Sequence, residues 1–145
     1  MIAQGGGAHI VNTASGAGLF GIPGMAPYCA SKFAVVGLSE SLSVELSQQG
    51  IRVTAVCPGI IRTRIVNDGR IGLLGKGGKG KAERFYERFG ASAPSVARDV
   101  LSAVHRGRSV QLSPLHVWGP FLLKRFSTQL YQLAARRLVP RLLGR

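Results

Sequence analysis

Three side chains in this 145-residue sequence could do chemistry together: Ser15, Tyr28 and Lys32. Tyr28 and Lys32 stand four residues apart, which puts both on one face of any helix that contains them. A phenol ordinarily ionises at about pH 10, and an adjacent ammonium stabilises its phenolate, which suits it to acid–base work nearer neutrality. Ser15 closes a short apolar run, and a hydroxyl at the end of a parallel strand lies where open α/β sheets place their ligands. Such a hydroxyl can hydrogen-bond a substrate carbonyl or alcohol. Taken singly, the three read as a turn serine, a helix-starting tyrosine and a solvated lysine; the chemistry lies in the combination.

The elements that must position them are legible in the pattern. HIVNTA, residues 9–14, is a β-branched run after a triple glycine and predicts a buried strand. Gly16, Gly18, Gly21, Pro23, Gly24 and Pro27 then break regular structure. Ala30, Phe33, Ala34, Gly37, Leu38, Ser41, Leu42, Glu45 and Leu46 recur with a helical period, so a long helix is expected from Pro27 to Gly50. IRVTAVC, residues 51–57, predicts a second strand stopped by Pro58-Gly59, and strand, helix, strand at this length implies a parallel crossover in an α/β sheet. Downstream, a helix is expected over Ser95–Arg106 with Val96, Val100, Leu101 and Val104 on one face, then a strand over Ser109–Leu112. Between them, Ile65–Gly90 is rich in glycine and lysine and reads as a loop over a site, with a short helix at Ala82–Phe89.

IVNTASGAG, YCASK, GLSESLSVEL, GIRVTAVCPG and Pro58-Gly59-Ile60-Ile61-Arg62-Thr63, in that order, resemble the short-chain dehydrogenase/reductase family over residues 5–64. The resemblance implies a partial Rossmann-like, doubly wound parallel sheet with flanking helices, about three strands of the family's seven. It implies the catalytic, carboxyl-terminal half of that domain in residues 1–117, with 65–92 as the substrate loop and 118–145 as a basic amphipathic tail. Carried over residue by residue, Tyr28 becomes the general acid/base and Ser15 the group that positions the substrate oxygen. Lys32 would tune Tyr28 and hold the nicotinamide ribose. Pro58, Gly59, Ile61 and Thr63 match the positions that contact the nicotinamide, and the cofactor would be NAD or NADP. The substrate would be a small, apolar carbonyl compound or secondary alcohol, and the long helix could pair copies of the chain. The family's TGxxxGxG loop and NNAG stretch have no counterpart in these letters. Two expectations therefore stand side by side, a truncated oxidoreductase and a non-catalytic remnant or partner-binding fragment.

Two other glycine patterns fail on context. Gly16-Ala-Gly18-Leu-Phe-Gly21 spells a dinucleotide fingerprint, yet Pro23, Gly24 and Pro27 follow before any helix can open. Gly75 to Ala82 approaches a phosphate-binding loop, but Ala82 stands where a hydroxyl should bind magnesium. The formal charge is +13, from 19 Lys and Arg against 6 Asp and Glu, and its excess lies in Arg62–Arg88 and Pro120–Arg145. Charge without a motif argues against nucleic acid as the partner. In the tail, Lys124, Arg125, Arg136, Arg137, Arg141 and Arg145 accompany Phe121, Leu122, Phe126, Leu130, Leu133 and Leu138. One amphipathic helix is expected, either as a solvated basic face over a buried apolar stripe or in contact with an anionic membrane or partner. His9, His105, His116, Cys29 and Cys57 lack metal-ligand spacing, and the cysteines read as reduced core fillers. With neither a signal-peptide pattern nor an apolar run long enough to span a bilayer, the expected setting is cytoplasmic, with membrane contact by the tail as the alternative to a solvated basic face.

Overall fold

The computed structural model describes residues 1–63, 80, 84 and 86–143, and the side chains among them up to residue 138. Strands β1 (Ala8–Thr13), β2 (Ile51–Pro58) and β3 (Val110–Ser113) form one parallel sheet in the order β1-β2-β3. Helix α1 (Ala26–Glu45) joins the first two strands and α2 (Ala93–Arg106) leads into the third. The expected three-stranded parallel sheet with flanking helices is the architecture that forms. Most of the 65–90 stretch, including part of the short helix expected at Ala82–Phe89, lies outside the described residues.

Local chemistry explains the boundaries of α1. Proline occupies its first turn, where a missing N–H costs nothing, and a 3-10 turn at Ser47–Gln49 runs into Gly50. Gly50 adopts φ 67°, a left-handed conformation that side chains with a Cβ resist, and it redirects the chain into β2. The register then runs from Ala8 beside Ile51 to Thr13 beside Val56, which brings the residues after β1 alongside the exit of β2.

Alternation along the strands assigns the two faces. Ala55, Cys57 and Leu112 pack with Ala14, Val117 and Val36 of α1 in the buried core. On the opposite face Ser113 donates to the Asp99 carboxylate of α2, and Thr54 donates to the Arg108 carbonyl just beyond that helix. Helices thus cover both faces, which is the doubly wound arrangement.

Three details depart from the sequence reading. The periodic apolar residues Phe33 and Leu38 of α1 lie on its outer face, 39% and 56% exposed, whereas Val36 and Ser39 face the sheet and Cys29 is buried against the loop after Ser15. Ser39 fits there because its hydroxyl donates to the Val35 carbonyl and accepts from Asn12 of β1. Leu101 likewise points outward from α2, and the small Ala103 takes the fully buried position. The tail, expected as one helix, is two: α3 (Trp118–Phe126) and α4 (Thr128–Leu143). Ser127 between them is extended, and its hydroxyl accepts from the Leu130 amide, an N-cap that restarts the helix. No described helix is long and apolar enough to cross a membrane.

Candidate active site

Ser15 leaves the end of β1 directly into a 3-10 turn, Gly16–Gly18, which its own hydroxyl caps by accepting from the Ala17 amide at 3.2 Å. The hydroxyl proton points to the Pro58 carbonyl at 3.4 Å, a long contact that a better acceptor could displace. Ser15 therefore sits between the ends of β1 and β2 with its proton weakly held.

The 3-10 turn lies against α1. A Cβ on Gly18 would stand 2.6 Å from the Lys32 carbonyl oxygen, so only glycine allows this approach. Cys29 fixes the next part of the loop, its sulfur accepting from the Ile22 amide at 3.3 Å. The Lys32 ammonium donates to the Thr13 carbonyl at 3.3 Å and lies 5.7 Å from the centre of the Tyr28 ring. One cation thus links the tip of β1, two residues before Ser15, to the first turns of α1, where Tyr28 sits half-buried. The i, i+4 spacing places the pair on one helical face, and the parallel register brings the strand end to them.

The segment after β2 is held from several sides. Gly59 donates to the Ser113 carbonyl at 2.7 Å, and a Cβ there would collide with Val117 and His116. The Ile60 amide donates to Nε2 of His116 at 3.3 Å, and burial lowers the pKa of that imidazole, which keeps the accepting nitrogen unprotonated. Ile61 bridges Ala91, while Thr63 is exposed at the end of the segment. Pro58, Gly59 and Ile61 thus form a fixed rim beside Ser15, and Thr63 extends from it.

The family model described as short chain dehydrogenase matches residues 1–71. This chain belongs to the short-chain dehydrogenase/reductase family. A diacetyl reductase, (S)-acetoin forming, from Staphylococcus aureus is 35% identical over 101 residues, 68% of this chain and 39% of that protein. A protein named inactive 2-(S)-hydroxypropyl-CoM dehydrogenase 2, from Xanthobacter autotrophicus, is 60% identical over 52 residues, 36% of this chain and 23% of that protein. The chain therefore spans well under half the length of these curated relatives. Among solved structures, a short-chain dehydrogenase/reductase from Burkholderia phymatum in complex with NAD superposes with a TM-score of 0.72 at 31% identity. That match covers 90% of this chain and 51% of the other. A short-chain dehydrogenase from Sphingobium yanoikuyae in complex with NADPH gives 0.61 at 28% identity, covering 95% and 46%.

Sequence reasoning about this family member missed residues that only the fold brings in. Tyr86 is half-buried, and its pKa is raised by burial and then by the charge of Tyr28, so a second phenol stands near the first. His116 supports the rim from 56 residues away, and no local spacing announces it. The tail reaches the loop after Ser15. Lys124 donates to the Leu19 carbonyl at 2.8 Å and caps the Phe33 ring at 4.4 Å, while the Tyr131 hydroxyl donates to the Gly21 carbonyl at 2.6 Å. Behind that brace lies a cavity of about 550 Å³ lined by Gly21, Pro23, Thr128, Gln132 and Arg136, among others.

Proposed function

We propose that this chain carries the acid–base machinery of an NAD- or NADP-dependent oxidoreductase that interconverts a small carbonyl compound and a secondary alcohol. The observation that carries the reading is the Lys32 ammonium, held between the Tyr28 ring and the carbonyl of Thr13, two residues before Ser15 in the chain. In the reductive direction the Tyr28 hydroxyl gives its proton to the substrate oxygen, and the ammonium of Lys32 stabilises the phenolate left behind. Ser15 turns its hydroxyl from the Pro58 carbonyl to the same oxygen and fixes the carbonyl's orientation. The oxidative direction reverses both proton movements.

The donor set also suits the nicotinamide end of the cofactor. An ammonium and a phenol are complementary to the two hydroxyls of a ribose, and the braced segment Pro58, Gly59, Ile61 and Thr63 would line the ring. When bound, the nicotinamide supplies or accepts the hydride. The diacetyl reductase relative supports a compact ketone or diketone as substrate, and the outward apolar face of α1 supports pairing of two copies through that helix.

Turnover of diacetyl by the purified chain with NADH or NADPH tests the reading. Tyr28→Phe should lower it about a hundredfold or more while the circular dichroism spectrum is kept. Undiminished turnover in that variant would remove the mechanism. The relative named as inactive favours a second reading, a non-catalytic fragment, and cofactor binding by calorimetry separates the two. Absence of both binding and turnover supports the fragment.

A further inference from the structure

The tail carries an apolar stripe on the side that should be polar. In α3 and the turn before it, Leu115 is 82% exposed, Trp118 36%, Leu122 52% and Phe126 83%. Positions 115, 118, 122 and 126 fall three and four apart, so they form one row along the helix. The opposite face, with Phe121, Leu123 and Lys124, is the one turned toward the protein. On α4, Leu130, Leu133 and Leu138 are also about half exposed, beside the exposed Arg136 and Arg137. Of the apolar residues expected in a buried stripe, Phe121 packs on the core, whereas Leu122, Phe126, Leu130, Leu133 and Leu138 are exposed.

The charge in this part of the sequence has one sign. From residue 100 to the end the sequence contains no Asp or Glu, while Arg106, Arg108, Lys124, Arg125, Arg136, Arg137, Arg141 and Arg145 are all cationic. A second copy of the same face would bring like charges together around the apolar contact, which opposes self-pairing. An anionic surface that also accepts apolar side chains matches both features at once. The stripe is a convex row on a helix, and its residues are separate from those lining the cavity behind the brace. Phe and Leu can enter an acyl boundary, Trp favours the headgroup level, and arginine guanidiniums pair with phosphates.

We propose that the face formed by Leu115, Trp118, Leu122 and Phe126, with the neighbouring arginines, docks the protein on the surface of an anionic lipid bilayer without crossing it. The docking residues do not include Ser15, Tyr28 or Lys32, and the contact stands whether or not the chain turns over a substrate. Its effect would be to hold the loop that the tail braces close to lipid, where apolar carbonyl compounds concentrate.

Trp118 is the chain's single tryptophan, so its emission reports on this face alone. Vesicles of phosphatidylcholine with phosphatidylglycerol should shift that emission to the blue and carry the protein down on sedimentation, and added salt should weaken both effects. Phe126→Ser should weaken partitioning about tenfold, and so should the separate pair Arg136→Glu and Arg137→Glu; all three positions are exposed, so folding is preserved. Equal binding to phosphatidylcholine alone, no shift with anionic vesicles, or variants that bind like the parent would overturn the proposal. Concentration-dependent dimerisation that Phe126→Ser abolishes would assign the face to a second copy instead and would overturn it as well.

Discussion

Gly18 offers the sharpest test of how the loop after Ser15 is held. Substitution by alanine places a Cβ 2.6 Å from the Lys32 carbonyl oxygen, 2.9 Å from its carbon and 3.0 Å from a Val36 methyl. Comfortable contacts between such atoms need about 3.5 Å, so the loop or the helix must move by about 1 Å. Two of the three obstacles are helix backbone, which cannot rotate away as a side-chain tip can. Overpacking costs about 1–3 kcal/mol, and the backbone neighbours place this case near the upper end. For a chain of this size about 3 kcal/mol corresponds to a melting point lower by about 6–12 °C. Gly21→Ala is the internal control, because nothing lies within 4 Å of its Cβ and its φ is not positive. That variant should be neutral or up to about 1 kcal/mol more stable through the unfolded state. Urea and thermal unfolding followed by circular dichroism measure both. A Gly18→Ala protein within about 0.5 kcal/mol of the parent, or a Gly21→Ala protein that loses as much as Gly18→Ala, would refute the close-approach argument.

Tyr131→Phe removes the hydrogen bond to the Gly21 carbonyl and should cost about 1 kcal/mol, with faster amide exchange confined to residues 19–25; uniform exchange would sever the tail from the loop. Cys57 is fully buried, and burial pushes its thiol up to about 11, so it should resist alkylation at about pH 8 until the protein unfolds. Because the folded value lies above the ordinary one, its contribution to stability is intact below about pH 9 and is lost as the pH rises toward 11; a Cys57→Ala variant should flatten that alkaline decline in urea midpoints. His9 behaves oppositely. Burial and then Arg52 lower its pKa, and Nε2 bonds the Thr54 hydroxyl, so the stability it confers is present above about pH 6.5 and is lost as the pH falls. His9→Gln should shrink that acid-side loss, and an unchanged slope would show that His9 does not cause it.

The sequence by itself determined the α/β succession and the candidate trio. Breakers, β-branched runs and helical spacing are local properties, and Tyr28 and Lys32 share a face because of backbone geometry that holds in any helix. It also exposed Gly16-Ala-Gly18-Leu-Phe-Gly21 as a false fingerprint, since prolines forbid the helix that such a loop must open. The tertiary structure decided what depends on distance in space. α1 has two faces, and periodicity finds them without saying which meets the sheet; Val36 and Ser39 do, and Phe33 and Leu38 face out. Gly18 and Gly59 are needed only because the Lys32 backbone and the side chains of His116 and Val117 arrive beside them. Tyr86, His116, Lys124 and Tyr131 join the site across long stretches of chain, and the outward stripe from Leu115 to Phe126 emerges only when the opposite face of α3 is seen to be occupied. Pattern follows from neighbours along the chain, whereas contact follows from the packing of segments far apart in it.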